Sequence, residues 1–74
     1  MNFEEHKDLL LLLAGMPERF KMENQPETIN EGGFVREFLY KDDYCDIEIQ
    51  TPLTRFSLFY RLNDDIYELE NIYS

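Results

Sequence analysis

Cysteine occurs once in this chain, at Cys45, so an internal disulfide is excluded and a reducing compartment is the natural setting. Histidine also occurs once, at His6. A zinc site needs about four ligands, and a Cys–His nucleophile needs a third group to orient it. One imidazole and one thiol on separate segments meet neither requirement. The three glycines form no phosphate-cradling loop, and Gly32-Gly33 reads as a hinge or turn before a strand. A calcium loop would need a central glycine within a longer run of oxygen ligands. No apolar run approaches the roughly 18 residues of a membrane span. Glu4, Glu5 and Asp8 stand where a signal peptide would be positive, and Leu9–Leu13 is too short for its apolar core. With seven basic side chains against sixteen acidic ones, nothing grips nucleic acid through its phosphates. The expectation is a cytoplasmic chain with no cofactor, no metal, no membrane contact and no enzymatic activity.

What is abundant is carboxylate. The net charge is -9. Residues 1–41 carry eight acids and five bases, whereas residues 42–74 carry eight acids and two bases. The second half therefore repels phosphate and attracts basic surfaces. At 74 residues the chain is one domain, and a monomer of this size has a small core. Eleven aromatic side chains compensate in part by filling volume.

The pattern begins with a helix over about residues 3–14. Asn2 and Glu5 have capping-box spacing, the early acids suit the positive end of the helix dipole, and Gly15 and Pro17 stop it. Pro17 could open one further short turn over 17–23. Leu9–Leu13 goes right round a helix, so one sheet cannot cover all of it. Either residues 16–33 fold over the surplus leucines, or Leu9, Leu10, Leu12 and Leu13 form a dimer or partner interface. Residues 23–33 read as loop.

From Phe34 the period becomes two. Strands are expected over about 34–41, 44–51, 54–62 and 65–72. With Pro52 and Leu53 as a turn tip, Ile49 meets Phe56, Ile47 meets Leu58 and Cys45 meets Tyr60, all on one face. With Asn63 and Asp64 as the next tip, Tyr60 meets Tyr67 and Leu58 meets Leu69. A helix over 65–72 is the rival, because Ile66, Leu69, Ile72 and Tyr73 also suit a helical stripe. The first strand is apolar on both sides, and its register across Lys41–Asp43 stays open. The expected fold is α+β, an N-terminal helix packed on a three- to four-stranded antiparallel meander.

Two acidic clusters follow from this layout. Asp42 and Asp43, with Asp64 and Asp65, fall in turns at one end of the sheet. Asp46, Glu48, Glu68 and Glu70 project from the outer face, where Arg61 and Arg55 stand between them and could neutralise them. Aspartate also favours turns for local reasons. Tyr44 points outward beside the acids and is the better interface tyrosine, while Tyr60 and Tyr67 belong to the core. Phe59, Ile66 and Ile72 point outward too. Asp42-Asp43-Tyr44-Cys45-Asp46 has the letters of a DDxxD magnesium motif, but a turn entering a strand does not converge its carboxylates as a helix would.

In size and charge the chain is similar to the small acidic inhibitors that phages and mobile elements direct at host nucleases and defence complexes, anti-CRISPR proteins among them. It is similar also to immunity proteins that neutralise basic nuclease toxins. The likeness rests on no alignable residue. It implies a protein-binding inhibitor that occupies the nucleic-acid site of a basic partner, in the host cytoplasm if phage-encoded. Asp42, Asp43, Tyr44, Asp46, Glu48, Asp64, Asp65, Glu68 and Glu70 are the expected contact residues. The alternative is an interaction or dimerisation module built on the leucine helix, its acidity serving solubility alone.

Overall fold

The computed structural model describes residues 3–74. Helix α1 spans Phe3–Ala14. Six strands follow: β1 (Arg19–Lys21), β2 (Ile29–Glu31), β3 (Phe34–Tyr40), β4 (Tyr44–Gln50), β5 (Arg55–Asn63) and β6 (Ile66–Tyr73). They form one antiparallel sheet in the order β1-β6-β5-β4-β3-β2. The fold is α+β, with six strands rather than three or four. Among the described residues no helix is long and apolar enough to cross a membrane.

The expected cap residue Asn2 lies outside the described residues. The other end of α1 follows its sequence closely. Gly15 adopts φ 65°, a left-handed conformation that glycine enters without a Cβ clash. Its N–H donates to the Leu12 carbonyl at 3.1 Å, and Met16 N–H donates to the Leu11 carbonyl at 3.0 Å. That pair of bonds is a Schellman cap, and the accompanying apolar contact is supplied by Leu11 and Met16, both buried.

No helical turn follows. Residues 19–21 instead pair with β6, Phe20 lying opposite Tyr67. Strand β2 interrupts the expected loop, because Gly32-Gly33 makes a tight hairpin that pairs Glu31 with Phe34. Both additions are three residues long and lack an alternating stretch, so only their partners define them.

The β4–β5 register agrees with expectation: Ile49 faces Phe56, Ile47 faces Leu58 and Cys45 faces Tyr60. All six side chains are buried. The β5–β6 register does not. The tip is Asp64-Asp65, not Asn63-Asp64, so Asn63 pairs with Ile66, Leu62 with Tyr67 and Tyr60 with Leu69. Asp64 takes φ 59°, which an aspartate tolerates better than most residues. A bulge between Phe59 and Tyr60 then sets Leu58 opposite Ile72. The extra residue turns Ile72 inward, against the expectation that it points out. Residues 66–73 are strand, and the helical rival falls.

The inner face is concave. The Tyr40 and Tyr67 rings lie 5.8 Å apart although two strands separate β3 from β6. In a flat sheet those strands would be about 14 Å apart. Phe20 fills the curl, stacked on Tyr67 at 5.1 Å and edge-on to Tyr60 at 5.2 Å. Leu11, Ala14 and Met16 close the core from the helix side.

Arg36 is the residue that periodicity should have flagged. It alternates in phase with Phe34, Phe38 and Tyr40 and is buried on the same side. Its guanidinium donates to three carbonyl oxygens: Ala14 at 2.9 Å, Gly15 at 2.9 Å and Glu27 at 3.0 Å. The end of α1 and the segment before β2 are thereby tied to β3. A cation also suits the negative end of the helix dipole. Tyr60 adds a second tie, donating its hydroxyl proton to the Pro17 carbonyl at 2.7 Å.

Candidate protein-binding face

Helix α1 packs on one face of the sheet, and residues 16–33 contribute to that face and to the sheet edges. The opposite face stays open. Its central feature is an aromatic ladder that crosses three strands. Tyr44 on β4 stacks on Phe59 of β5 at 5.0 Å, and Phe59 meets Tyr73 of β6 edge-on at 6.5 Å. Tyr44 and Phe59 are half-buried, and Tyr73 is exposed. Such rings offer area with little side-chain entropy to lose.

Carboxylates surround the ladder. Asp46 lies between Leu39 and Phe59 across the strands. Glu48 lies opposite Ser57 on one side and Glu37 on the other. The Glu37–Glu48 pair sets like charges directly across two strands, an unfavourable arrangement without a cation. Glu48 also lines a groove of about 380 Å³ with Arg55, Phe56, Ser57, Tyr73 and Ser74.

The ion pairs differ from those expected. Arg61 donates to Glu70 Oε2 at 2.8 Å and to Asp43 Oδ2 at 3.5 Å, while its guanidinium lies 5.2 Å from the centre of the Phe59 ring. The hydrogen bond to Glu70, then the Glu70 and Asp43 charges, raise the Arg61 pKa against some desolvation. Glu68, opposite Arg61, reaches Arg19 of β1 at 3.9 Å instead. Asp46 faces Phe59 rather than a cation, and Arg55 forms no ion pair among the described residues. Neutralisation therefore reaches Asp43, Glu68 and Glu70 but not Asp46 or Glu48. Glu70 reaches Arg61 rather than Arg55 because the Asp64-Asp65 tip moves the β5–β6 register by two residues, which sets Arg61 opposite Glu68 and next to Glu70.

The turn aspartates share one end of the sheet. The antiparallel order places Asp42-Asp43 and Asp64-Asp65 there, and Leu62 N–H bonds the Asp43 carbonyl at 2.8 Å between them. Asp65 also accepts from Met22 N–H at 2.7 Å through its carbonyl, which fixes that turn to β1. Of the four side chains, Asp43 alone reaches a cation among the described residues.

Helix α1 divides its leucines. Leu11 is buried and Leu10 packs partly against the core. Leu9, Leu12 and Leu13 form an exposed stripe that no other segment among the described residues covers, against the expectation that 16–33 might fold over it.

No group of three or more His, Cys, Asp or Glu side chains among the described residues could hold a metal ion. The Asp42–Asp46 segment shows why: its first two carboxylates occupy a turn tip and the third lies on the sheet face. Cys45 is buried, and desolvation, with the Asp46 charge adding, pushes its thiol up to about 12. It stays protonated at neutral pH and is a poor nucleophile.

No known protein family, curated protein or solved structure matches this chain.

Proposed function

We propose that the chain is a small protein-binding inhibitor that docks its open sheet face and the adjoining acidic turns on a basic surface. The partner class that fits is a nuclease or another nucleic-acid-binding complex whose cationic groove the carboxylates would occupy. The observation that carries this reading is the Tyr44–Phe59–Tyr73 ladder, solvent-facing and bordered by acids that lack an internal cation. Aromatic anchors would supply the affinity, while Asp42, Asp64, Asp65, Asp46 and Glu48 would steer association and select for positive charge. Asp43, Glu68 and Glu70 contribute less in this scheme, because Arg61 and Arg19 already engage them.

The test is capture of partners on the immobilised full chain at low and high salt, followed by challenge with duplex DNA. The expected captive is a basic nucleic-acid-binding protein that raised salt releases and DNA displaces. Replacing Asp42, Asp64 and Asp65 with Asn should slow its association several-fold, and Tyr44→Ala should speed its dissociation. A captive indifferent to salt, to DNA and to these substitutions would remove the proposal.

A second reading rests on the exposed stripe of Leu9, Leu12 and Leu13. Here α1 is the contact surface and the acidity serves solubility. Leu12→Glu distinguishes the two, since it should abolish capture only if the helix is the docking element.

A further inference from the structure

Strand β2 covers only the first part of the outer edge of β3. It pairs with Phe34, Val35 and Arg36, and among the described residues no strand lies beside Glu37–Tyr40 on that side. Which main-chain groups face the opening follows from the next turn. Lys41 N–H donates to the Tyr44 carbonyl at 2.9 Å, so Lys41, Leu39 and Glu37 direct their main-chain groups toward β4. Alternation directs those of Phe38 and Tyr40 into the opening. Open edges of this kind invite another strand, and folded proteins usually guard them. The far edge of the sheet shows such a guard. There the Ile72 N–H is taken by the side-chain oxygen of Asn71 at 2.8 Å.

The segment that borders the opening reads Glu37-Phe38-Leu39-Tyr40-Lys41. It is complementary to itself about Leu39. Turned antiparallel on its own copy, it sets acid against base at both ends and leucine against leucine in the middle. Leu39 is 53 % exposed, an apolar side chain with nothing over it.

We infer that β3 pairs with β3 of a second copy of this chain, around a two-fold axis at Leu39. Phe38 faces the partner's Tyr40, and Tyr40 faces the partner's Phe38, making about four main-chain hydrogen bonds. Glu37 lies opposite the partner's Lys41, and the symmetry repeats that contact. The interface is isologous and closes after two copies. Register is specified as well. A slip of one residue turns the hydrogen-bonding groups away from each other. A slip of two sets Glu37 against the partner's Leu39 or Asp43 and loses the charge match. The pairing leaves the aromatic ladder uncovered, and it stands or falls independently of the basic-partner reading.

Sedimentation of the full chain over a concentration series should show a reversible monomer–dimer equilibrium. Amide exchange at Phe38 and Tyr40 should slow several-fold from the dilute to the concentrated end. E37K sets Lys against Lys across the axis, and K41E sets Glu against Glu, so each variant alone should sediment as monomer. Mixed in equal amounts, the two restore both acid–base contacts, and the dimer should return. A dimer that survives K41E, a mixture that stays monomeric, or a wild-type chain monomeric at every concentration overturns the pairing. Should either variant fail to fold by circular dichroism, the wild-type exchange rates decide: rates independent of concentration reject it.

Discussion

Arg36 and Ala14, 22 residues apart, are joined by a 2.9 Å hydrogen bond from the guanidinium Nη1 to the carbonyl oxygen of the last helical residue. The same nitrogen reaches Gly15. A buried guanidinium with no carboxylate partner among the described residues would normally be costly, and here three carbonyls satisfy it. Arg36→Ala orphans those carbonyls and removes the tie between helix and sheet. It should destabilise the fold by about 3 kcal/mol, since hydrogen bonds to a charged group contribute about 1.5–3 kcal/mol. Urea denaturation followed by circular dichroism measures this. Arg36→Lys should recover only part of the loss, because one ammonium cannot reproduce the planar fork.

The Tyr40 hydroxyl is buried without a hydrogen-bond partner among the described residues. Burial, reinforced by the neighbouring Cys45 and Tyr67, pushes its pKa up to about 12. Removing an unsatisfied polar group while keeping the ring should help the fold. Tyr40→Phe is expected to stabilise by about 1 kcal/mol. A fall in the denaturation midpoint would mean that the hydroxyl has a partner in solution.

Alkaline stability should be governed by Tyr60. Its pKa is raised, first by desolvation and then by nearby Cys45 and Glu18. The folded state thus holds a proton that the unfolded state releases near the ordinary tyrosine pKa of about 10. Stability is full below that pH and falls as pH rises through the interval up to the higher folded value. Ionisation also destroys the donor to Pro17. Thermal melts from pH 8 to 12 should decline above about pH 10. In Tyr60→Phe the starting stability should be lower and the alkaline decline shallower.

The two sides of α1 should respond oppositely to substitution. Leu12 is 77 % exposed, so Leu12→Glu should change stability by no more than about 0.5 kcal/mol. Leu11 is 7 % exposed and packs beside Met16, so Leu11→Ala should cost about 2–4 kcal/mol. Equal losses at both positions would show that the exposed stripe is covered in solution.

Much of the sheet was legible because burial leaves a period of two. The Cys45, Ile47 and Ile49 series and its partners on β5 could be paired from the turn alone. The bulge could not, since an inserted residue shifts phase without changing composition. It brought Ile72 inside, while the two-residue register shift at the turn gave Glu70 to Arg61 and left Glu68 to Arg19. Strands β1 and β2 were hidden for another reason. Three residues carry too little pattern, and both owe their conformation to a neighbour rather than to their own side chains. Arg36 escaped notice because a charged side chain at an inward position reads as an interruption. In fact it answers the carbonyls that a helix end leaves unpaired.

Strand β1 has a bearing on how the molecule is made. Its partner is β6, so residues 19–21 find their place only when residues 66–68 exist. On the ribosome the first third of the chain therefore emerges well before the strand that receives it. Phe20 and the end of α1 stay unsheltered through that interval, and the final closure joins β1 to β6. Long-range closure of this kind is slow compared with local helix formation. Folding speed in this small protein should be set by that late meeting of β1 with β6, with the central hairpin already formed.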